Sequence, residues 1–125
     1  MPIQSLPFRL DVRRARSTIA PMIRTTPVLR VPELENPGGP EIVAKLENLQ
    51  VTGSFKVRGA ANRILGMPES ERKRGVIACS SGNHGKAVAH VAGLMETPAT
   101  IFVPGWVDPG KLSGMKKAGA RVVLA

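Results

Sequence analysis

Apolar Val12, Ala15, Ile19 and Ile23 recur at helical intervals between Asp11 and Ile23, and Pro21 and Pro27 mark the fraying end of the amphipathic helix they predict. Pro32 to Pro40, containing Asn36-Pro37-Gly38-Gly39-Pro40, reads as a turn-rich loop that gives way to a strand-like run from Glu41 to Glu47. The pattern then becomes regular. A helix from Phe55 to Leu65 is followed by a strand at Gly75–Cys79, a helix at Asn83–Met95, a strand at Ala99–Val103, a helix at Gly110–Lys117 and a strand at Arg121–Leu124. This alternation predicts an α/β fold with parallel pairing and right-handed crossovers. The runs Val76–Cys79, Ile101–Val103 and Val122–Leu124 are nearly continuous in apolar residues, which predicts strands covered on both faces. No helix follows the last strand before Ala125, so the expectation is a partner that supplies the cover, or a longer protein of which this is a piece.

With 125 residues and 42% hydrophobic content the chain falls in the range of one globular domain. The net charge of +9 favours anionic partners. The densest basic stretch, Arg9, Arg13, Arg14 and Arg16, falls on the first predicted helix and reads as a solvated face. Nucleic acid is not an expected partner, because Phe8, Phe55, Phe102 and Trp106 are scattered and no basic run is interleaved with them. A single cysteine, Cys79, precludes an internal disulfide and fits a reducing, cytoplasmic setting; its apolar neighbours predict a buried, inert thiol. His84 and His90 have no cysteine or carboxylate at metal-ligand spacing, so no metal is expected. No apolar stretch approaches the ~20 residues of a membrane span, and the N-terminus lacks the apolar region of a secretory signal.

Two segments carry chemistry. Gly53-Ser54-Phe55-Lys56 places a lysine where a helix begins, and there unpaired amides and the helix dipole disfavour an ammonium. A lysine so treated has access to the free amine, the form that attacks a carbonyl to make a Schiff base. Gly53 permits an unusual backbone angle, Ser54 can cap the helix, and Gly59 permits close approach of another backbone or a ligand. Phe55 is either core or an apolar wall beside the amine. The second segment, Ser80-Ser81-Gly82-Asn83-His84-Gly85, is a small polar loop between a strand and a helix, suited to an anion held by backbone amides and to a polar ring substituent. Its bland alternative is Asn83 as a helix cap with solvated serines. A nucleotide phosphate loop is excluded, because Ser80 stands where that motif needs glycine and Ala87 where it needs serine or threonine; G-x-G-x-x-G is absent too.

The run from Lys45 to Ala60, KLENLQVTGSFKVRGA, followed by Ser80-Ser81-Gly82-Asn83-His84-Gly85, resembles the fold-type II pyridoxal-phosphate enzymes, and most closely their threonine/serine dehydratases, serine racemases and the dehydratase-like enzymes of ectoine breakdown. The resemblance spans about Asp11 to Ala125 and takes in Arg24-Thr25-Thr26-Pro27-Val28 and Phe102-Val103-Pro104. It implies a three-layer αβα open parallel sheet of which this chain is the N-terminal portion. Residues 1 to about 50 would begin the large domain, and about 51 to 125 would be mostly small domain. By the same resemblance Lys56 would bind pyridoxal 5'-phosphate covalently and then act as base at the substrate Cα. Phe55 would pack near the cofactor ring and Asn83 would hydrogen-bond its phenolic oxygen. Ser80, Ser81, Gly82, Asn83 and His84 would grip the substrate carboxylate. The reaction implied is elimination of the β-hydroxyl of a small hydroxyamino acid, serine or threonine, to a 2-oxo acid and ammonia.

Serine racemases resemble this chain in having serine at the position of Ser81, where many dehydratases have alanine, so a hydroxyl that reprotonates the opposite face of Cα stays open as an alternative role. Lys86 and Glu96 depart from the family's usual glutamine and glycine. Complete relatives are a few hundred residues long and commonly oligomeric, and their glycine-rich loop for the cofactor phosphate falls beyond the span matched here. Gly38-Gly39 lies before the lysine, in a proline-rich turn, and does not replace it. The expectation is a lyase that needs a further C-terminal half, set against a non-catalytic remnant or interaction fragment.

Overall fold

The computed structural model describes residues 11–125; Phe8 and Arg9, part of the aromatic and basic inventories above, lie outside them. Helix α1 (Val12–Ile19) starts at Asp11, whose carboxylate accepts a hydrogen bond from the Arg14 amide at 2.8 Å, and continues into a 3₁₀ turn at Ala20–Met22. Strands β1 (Val28–Arg30) and β2 (Val43–Lys45) form a two-stranded antiparallel ribbon, with Leu29 opposite Ala44. After a 3₁₀ turn at Glu47–Leu49 come α2 (Lys56–Leu65), the short α3 (Glu69–Arg74), β3 (Val76–Cys79), α4 (Asn83–Leu94), β4 (Ala99–Val103), α5 (Pro109–Lys117) and β5 (Arg121–Leu124). Asp108 caps α5 by accepting from the Lys111 amide, and Pro109 fits the first helical position because no amide is needed there.

Strands β3, β4 and β5 pair in parallel in that order, with Ala78 beside Ile101 and Ile101 beside Val122. Helices α4 and α5 pack on each other and on these strands, so they share one face of the sheet, as successive right-handed crossovers stepping in one direction require. Ala78, Ile101 and Val103 point into that side and are buried. The opposite face carries Ile77, 77% exposed, together with Cys79, Phe102 and Val123. This corrects two expectations: the strands are covered on one face among the described residues, and Cys79 is exposed rather than buried. The reason is period-two geometry, which sends alternate residues of β3 to the open side.

The core is small-residue packing between helices. Val57, Ala60, Ala61 and Ile64 of α2 meet the buried Ala87, Val88, Val91 and Ala92 of α4, and α1 seals the other flank of α2 through Ile19. Alanines on both faces permit close helix approach. Gly85 sits in a tight spot: a Cβ there would lie 3.0 Å from the Ser80 carbonyl and 3.1 Å from Ile101 and Met115, so its neighbours would have to give way by a few tenths of an ångström. Among the described residues no helix is long and apolar enough to cross a membrane, and no three His, Cys, Asp or Glu side chains cluster as a metal site would need.

Candidate active site

Lys56 opens α2, and its placement follows from the residues before it. Gly53 adopts φ +76, which an L side chain disfavours, and its amide closes a tight turn on the Gln50 carbonyl at 2.8 Å. Val57 is fully buried and anchors the first turn, while Phe55 and Lys56 face outward. Phe55 occupies the cap position, and buried Ser54 reaches the Lys56 amide only at 3.4 Å, so Ser54 is a weaker cap than the sequence suggests. Phe55 is 57% exposed, which rules out a core role in this chain; its ring lies 4.9 Å from the Lys56 Nζ, a cation–π contact.

Behind the lysine stands a polar network that sequence reasoning did not single out. Arg58 grips Glu47 with two parallel bonds, Nε to Oε2 at 2.8 Å and a terminal nitrogen to Oε1 at 2.7 Å. The Thr26 hydroxyl donates to the same Oε1 at 2.6 Å, and the Lys45 ammonium donates to the Thr26 carbonyl. The Arg58 guanidinium, acting against partial desolvation, holds the Glu47 carboxyl down at about 2. Buried Gln50 adds a second tie: its Oε1 accepts from the Arg24 amide at 2.7 Å and its Nε2 donates to the Arg24 carbonyl at 2.9 Å. Glu47 and Arg58 belong to the family-like run, but an acid and a base eleven positions apart carry no local spacing signal. Only the folded loop brings them together.

The second segment is held by the backbone. The Ser80 amide donates to the Phe102 carbonyl at 2.9 Å, extending the β3–β4 pairing by one residue. The Ser80 hydroxyl then accepts from the Gly82 amide at 3.2 Å and folds the loop back toward α4. Gly82 is the cap residue and Asn83 the first helical residue, so Asn83 does not cap the helix; its side chain is exposed. Ser81 is half-buried, and its hydroxyl makes no hydrogen bond among the described residues. His84 is exposed. The first amides of α4 have no intrahelical acceptor, which leaves an anion-favouring end at the loop.

Helices α2 and α4, which carry the two segments at their starts, pack on each other and together border a cleft of about 340 Å³ lined by Gly59, Ala60, Arg63, His84 and Val88 with the edge of β3. His84 lies on this cleft; Lys56, Ser80, Ser81 and Asn83 do not line it. Gly59 packs against no second backbone, and a Cβ added at Gly59 or Gly82 would meet nothing within 4 Å. The donor set fits a flat aldehyde cofactor: an outward amine beside an aromatic ring, an exposed amide at Asn83, an unengaged hydroxyl at Ser81, and open space at both glycines. It holds no glycine run for a phosphate, since Gly38 and Gly39 turn the β1–β2 connection.

The protein-family description "Pyridoxal-phosphate dependent enzyme" matches residues 19–125. L-threonine ammonia-lyase of Thermotoga maritima is 42% identical over 114 residues, covering 91% of this chain and 28% of that protein. A catabolic L-threonine dehydratase of Staphylococcus aureus is 39% identical over 115 residues, covering 91% and 33%. Serine racemase from Dictyostelium discoideum superposes with a TM-score of 0.84 at 38% identity, covering 91% of this chain and 37% of that one. The chain therefore spans about a third of the length of these relatives. With the family matched across both the lysine segment and the serine loop, the chain belongs to the pyridoxal-phosphate-dependent enzymes and carries their fold-type II α/β architecture.

Proposed function

We propose that this chain is the lysine-bearing part of a pyridoxal-phosphate-dependent ammonia-lyase that eliminates the β-hydroxyl of serine or threonine. The observation that carries this reading is the outward Lys56 amine at the start of α2, a helix that packs on α4, the helix opened by the serine loop. Similarity to L-threonine ammonia-lyase and L-threonine dehydratase supports the substrate class. When bound, pyridoxal phosphate supplies an electron sink for the pair left at the substrate Cα. Lys56 would hold the cofactor through its aldehyde carbon and, once displaced by substrate, take the Cα proton on Nζ. Phe55 would flank the ring and Asn83 would donate to its phenolic oxygen. The amides of Ser81, Asn83 and His84, unengaged among the described residues, would hold the substrate carboxylate and exclude water from it, while the Ser80 and Gly82 amides, bonded to Phe102 and to the Ser80 hydroxyl, keep the loop in shape. Ser80 keeps its hydroxyl on the Gly82 amide, so its part is to shape the loop.

Ser81 supports a second reading. Its hydroxyl lacks a partner among the described residues and the chain is similar to a serine racemase, which favours a role for Ser81 in returning a proton to the opposite face of Cα. We further propose a homo-oligomeric, cytoplasmic enzyme in which residues up to about 50 begin the large domain and about 51–125 form mostly the small one; the separate β1–β2 ribbon and the β3–β5 sheet support this division.

The test is incubation of the chain with pyridoxal phosphate, followed by borohydride trapping, peptide mapping and a 2-oxo acid assay with L-serine and L-threonine. We expect weak binding confined to Lys56 and turnover near background. Strong Lys56-dependent turnover would overturn the view that the remaining length of the relatives is needed. Formation of D-serine without 2-oxo acid would favour the racemase, and absence of any Lys56 adduct would favour a non-catalytic fragment.

A further inference from the structure

The Lys56 side chain has one polar or aromatic contact among the described residues, the ring of Phe55, and both groups face outward. Beyond that ring face, no hydrogen bond or ion pair among the described residues holds the amine in place. Its direction is inherited from the backbone of the first turn of α2 and of the loop that feeds it. That loop is tied at two points. Near its start, Glu47 is seized by Arg58 from the first turn of α2 and by the Thr26 hydroxyl. At its middle, Gln50 exchanges two hydrogen bonds with the backbone of Arg24 and accepts a third from the Val51 amide. The Arg58–Glu47 tie is the only one of these that grasps the helix bearing the lysine. It spans the whole loop, from the residue that enters it to the helix that leaves it.

We propose that Arg58 and Glu47 form a positioning latch that sets the direction in which α2 presents the Lys56 amine; the inference rests on Lys56 being the cofactor lysine. Both partners are mostly shielded, with 31% and 16% of their side chains exposed, so water competes poorly for the pair. Two parallel bonds between a planar guanidinium and a carboxylate fix orientation as well as distance, which a lysine at position 58 cannot reproduce. Arg58 and Glu47 are positioning residues; neither is required to touch the cofactor.

The test is the site selectivity of reductive trapping of pyridoxal phosphate on the full chain, with Lys56 compared against the other lysines by peptide mapping. It is read on samples matched for folded fraction by circular dichroism. R58Q and E47Q are expected to lower Lys56 selectivity by about tenfold, the equivalent of one charge-assisted bond, and R58K by less. R72Q, which alters a guanidinium bonded to the Met67 carbonyl and not to Glu47 or the lysine loop, is expected to leave it unchanged. Unaltered selectivity in folded R58Q and E47Q would overturn the latch. If both variants fail to fold, amide exchange in the unmodified chain decides. The Gly53 and Arg58 amides, bonded to Gln50 and Phe55, should exchange at least about tenfold more slowly than the Gly39 amide of the β1–β2 turn; equal rates would overturn the proposal. If the unmodified chain shows no preference for Lys56, the assignment of the lysine fails, and the exchange measurement still judges the latch.

Discussion

The two halves of the candidate site are built by different means. The lysine loop is held by side chains: Arg58 and Thr26 on Glu47, Lys45 on Thr26, and Gln50 on Arg24. The serine loop is held by the backbone and by small residues. It has one strand-like bond from Ser80 to Phe102, one short turn closed by the Ser80 hydroxyl, and Gly85 wedged under the Ser80 carbonyl. The difference matches the tasks proposed for them. A nucleophile on a long side chain needs its base fixed from a distance. A carboxylate cradle must leave its amides unoccupied and cannot be crowded by holding side chains.

The comparison breaks most completely at its reactive ends. K56A should abolish the borohydride-stable cofactor adduct while shifting thermal stability by no more than about 0.5 kcal/mol, because the side chain is exposed and, among the described residues, contacts only a ring face. A persistent adduct of equal yield on another lysine would remove the lysine loop from the comparison. On the other side, G85A forces a methyl to within 3.0 Å of the Ser80 carbonyl and 3.1 Å of Ile101 and Met115. Loss of about 1–3 kcal/mol in denaturant unfolding is expected, with the cost falling on the serine loop since it cannot move without breaking its bond to Phe102. The equivalent change at Gly59, where nothing lies within 4 Å, should be neutral or slightly stabilising, because a helix interior prefers alanine.

How far each half was legible in the sequence follows the same division. The serine loop and its flanking elements were legible almost to the residue: a strand ending at Cys79, a helix opening at Asn83, and β4 and β5 with their bounds unchanged. Local apolar runs and glycines encode them. The supports of the lysine loop were not, since the Glu47–Arg58 pair exists only after a turn without periodicity has closed. Three-residue β1 is too short to show an alternation, and α3, ESERKR, has no apolar face to announce it. The antiparallel ribbon was missed for the first reason. The expectations of two covered sheet faces and a buried Cys79 failed for another: an apolar run states that a strand suits burial, and says nothing of what lies against it.

A charged support carries a pH signature that a backbone support lacks. Glu47 is held at about 2 against an ordinary value of 4.5, so its pairing stabilises the fold fully above the ordinary value and is lost as pH falls toward 2. Between pH 5 and pH 2 the unmodified chain should lose on the order of 2 kcal/mol that E47Q, already without the charge, does not lose. Glu35 is also lowered, first by Arg30, but it titrates in both proteins and cancels in the difference. Parallel stability curves for the two proteins, measured by urea unfolding across that window, would show that the lysine loop does not depend on its ion pair.

The smallest effect expected concerns the hydroxyl the lysine loop leaves unused. Thr52 is 3% exposed, and its Oγ1 has no hydrogen-bond partner among the described residues, in a loop whose other buried polar side chains, Gln50 and Ser54, are bonded. A buried donor without an acceptor costs its desolvation and returns nothing, so T52V, which keeps the branched shape, should raise stability by up to about 1 kcal/mol. Side-chain support would then be concentrated in Glu47, Arg58 and Gln50, with Thr52 contributing shape alone. A loss of more than about 1 kcal/mol would mean that the hydroxyl is bridged by water to a further group and belongs to the network. The serine loop offers no counterpart to this test, because its hydroxyls at Ser80 and Ser81 are both half-exposed and already within reach of solvent.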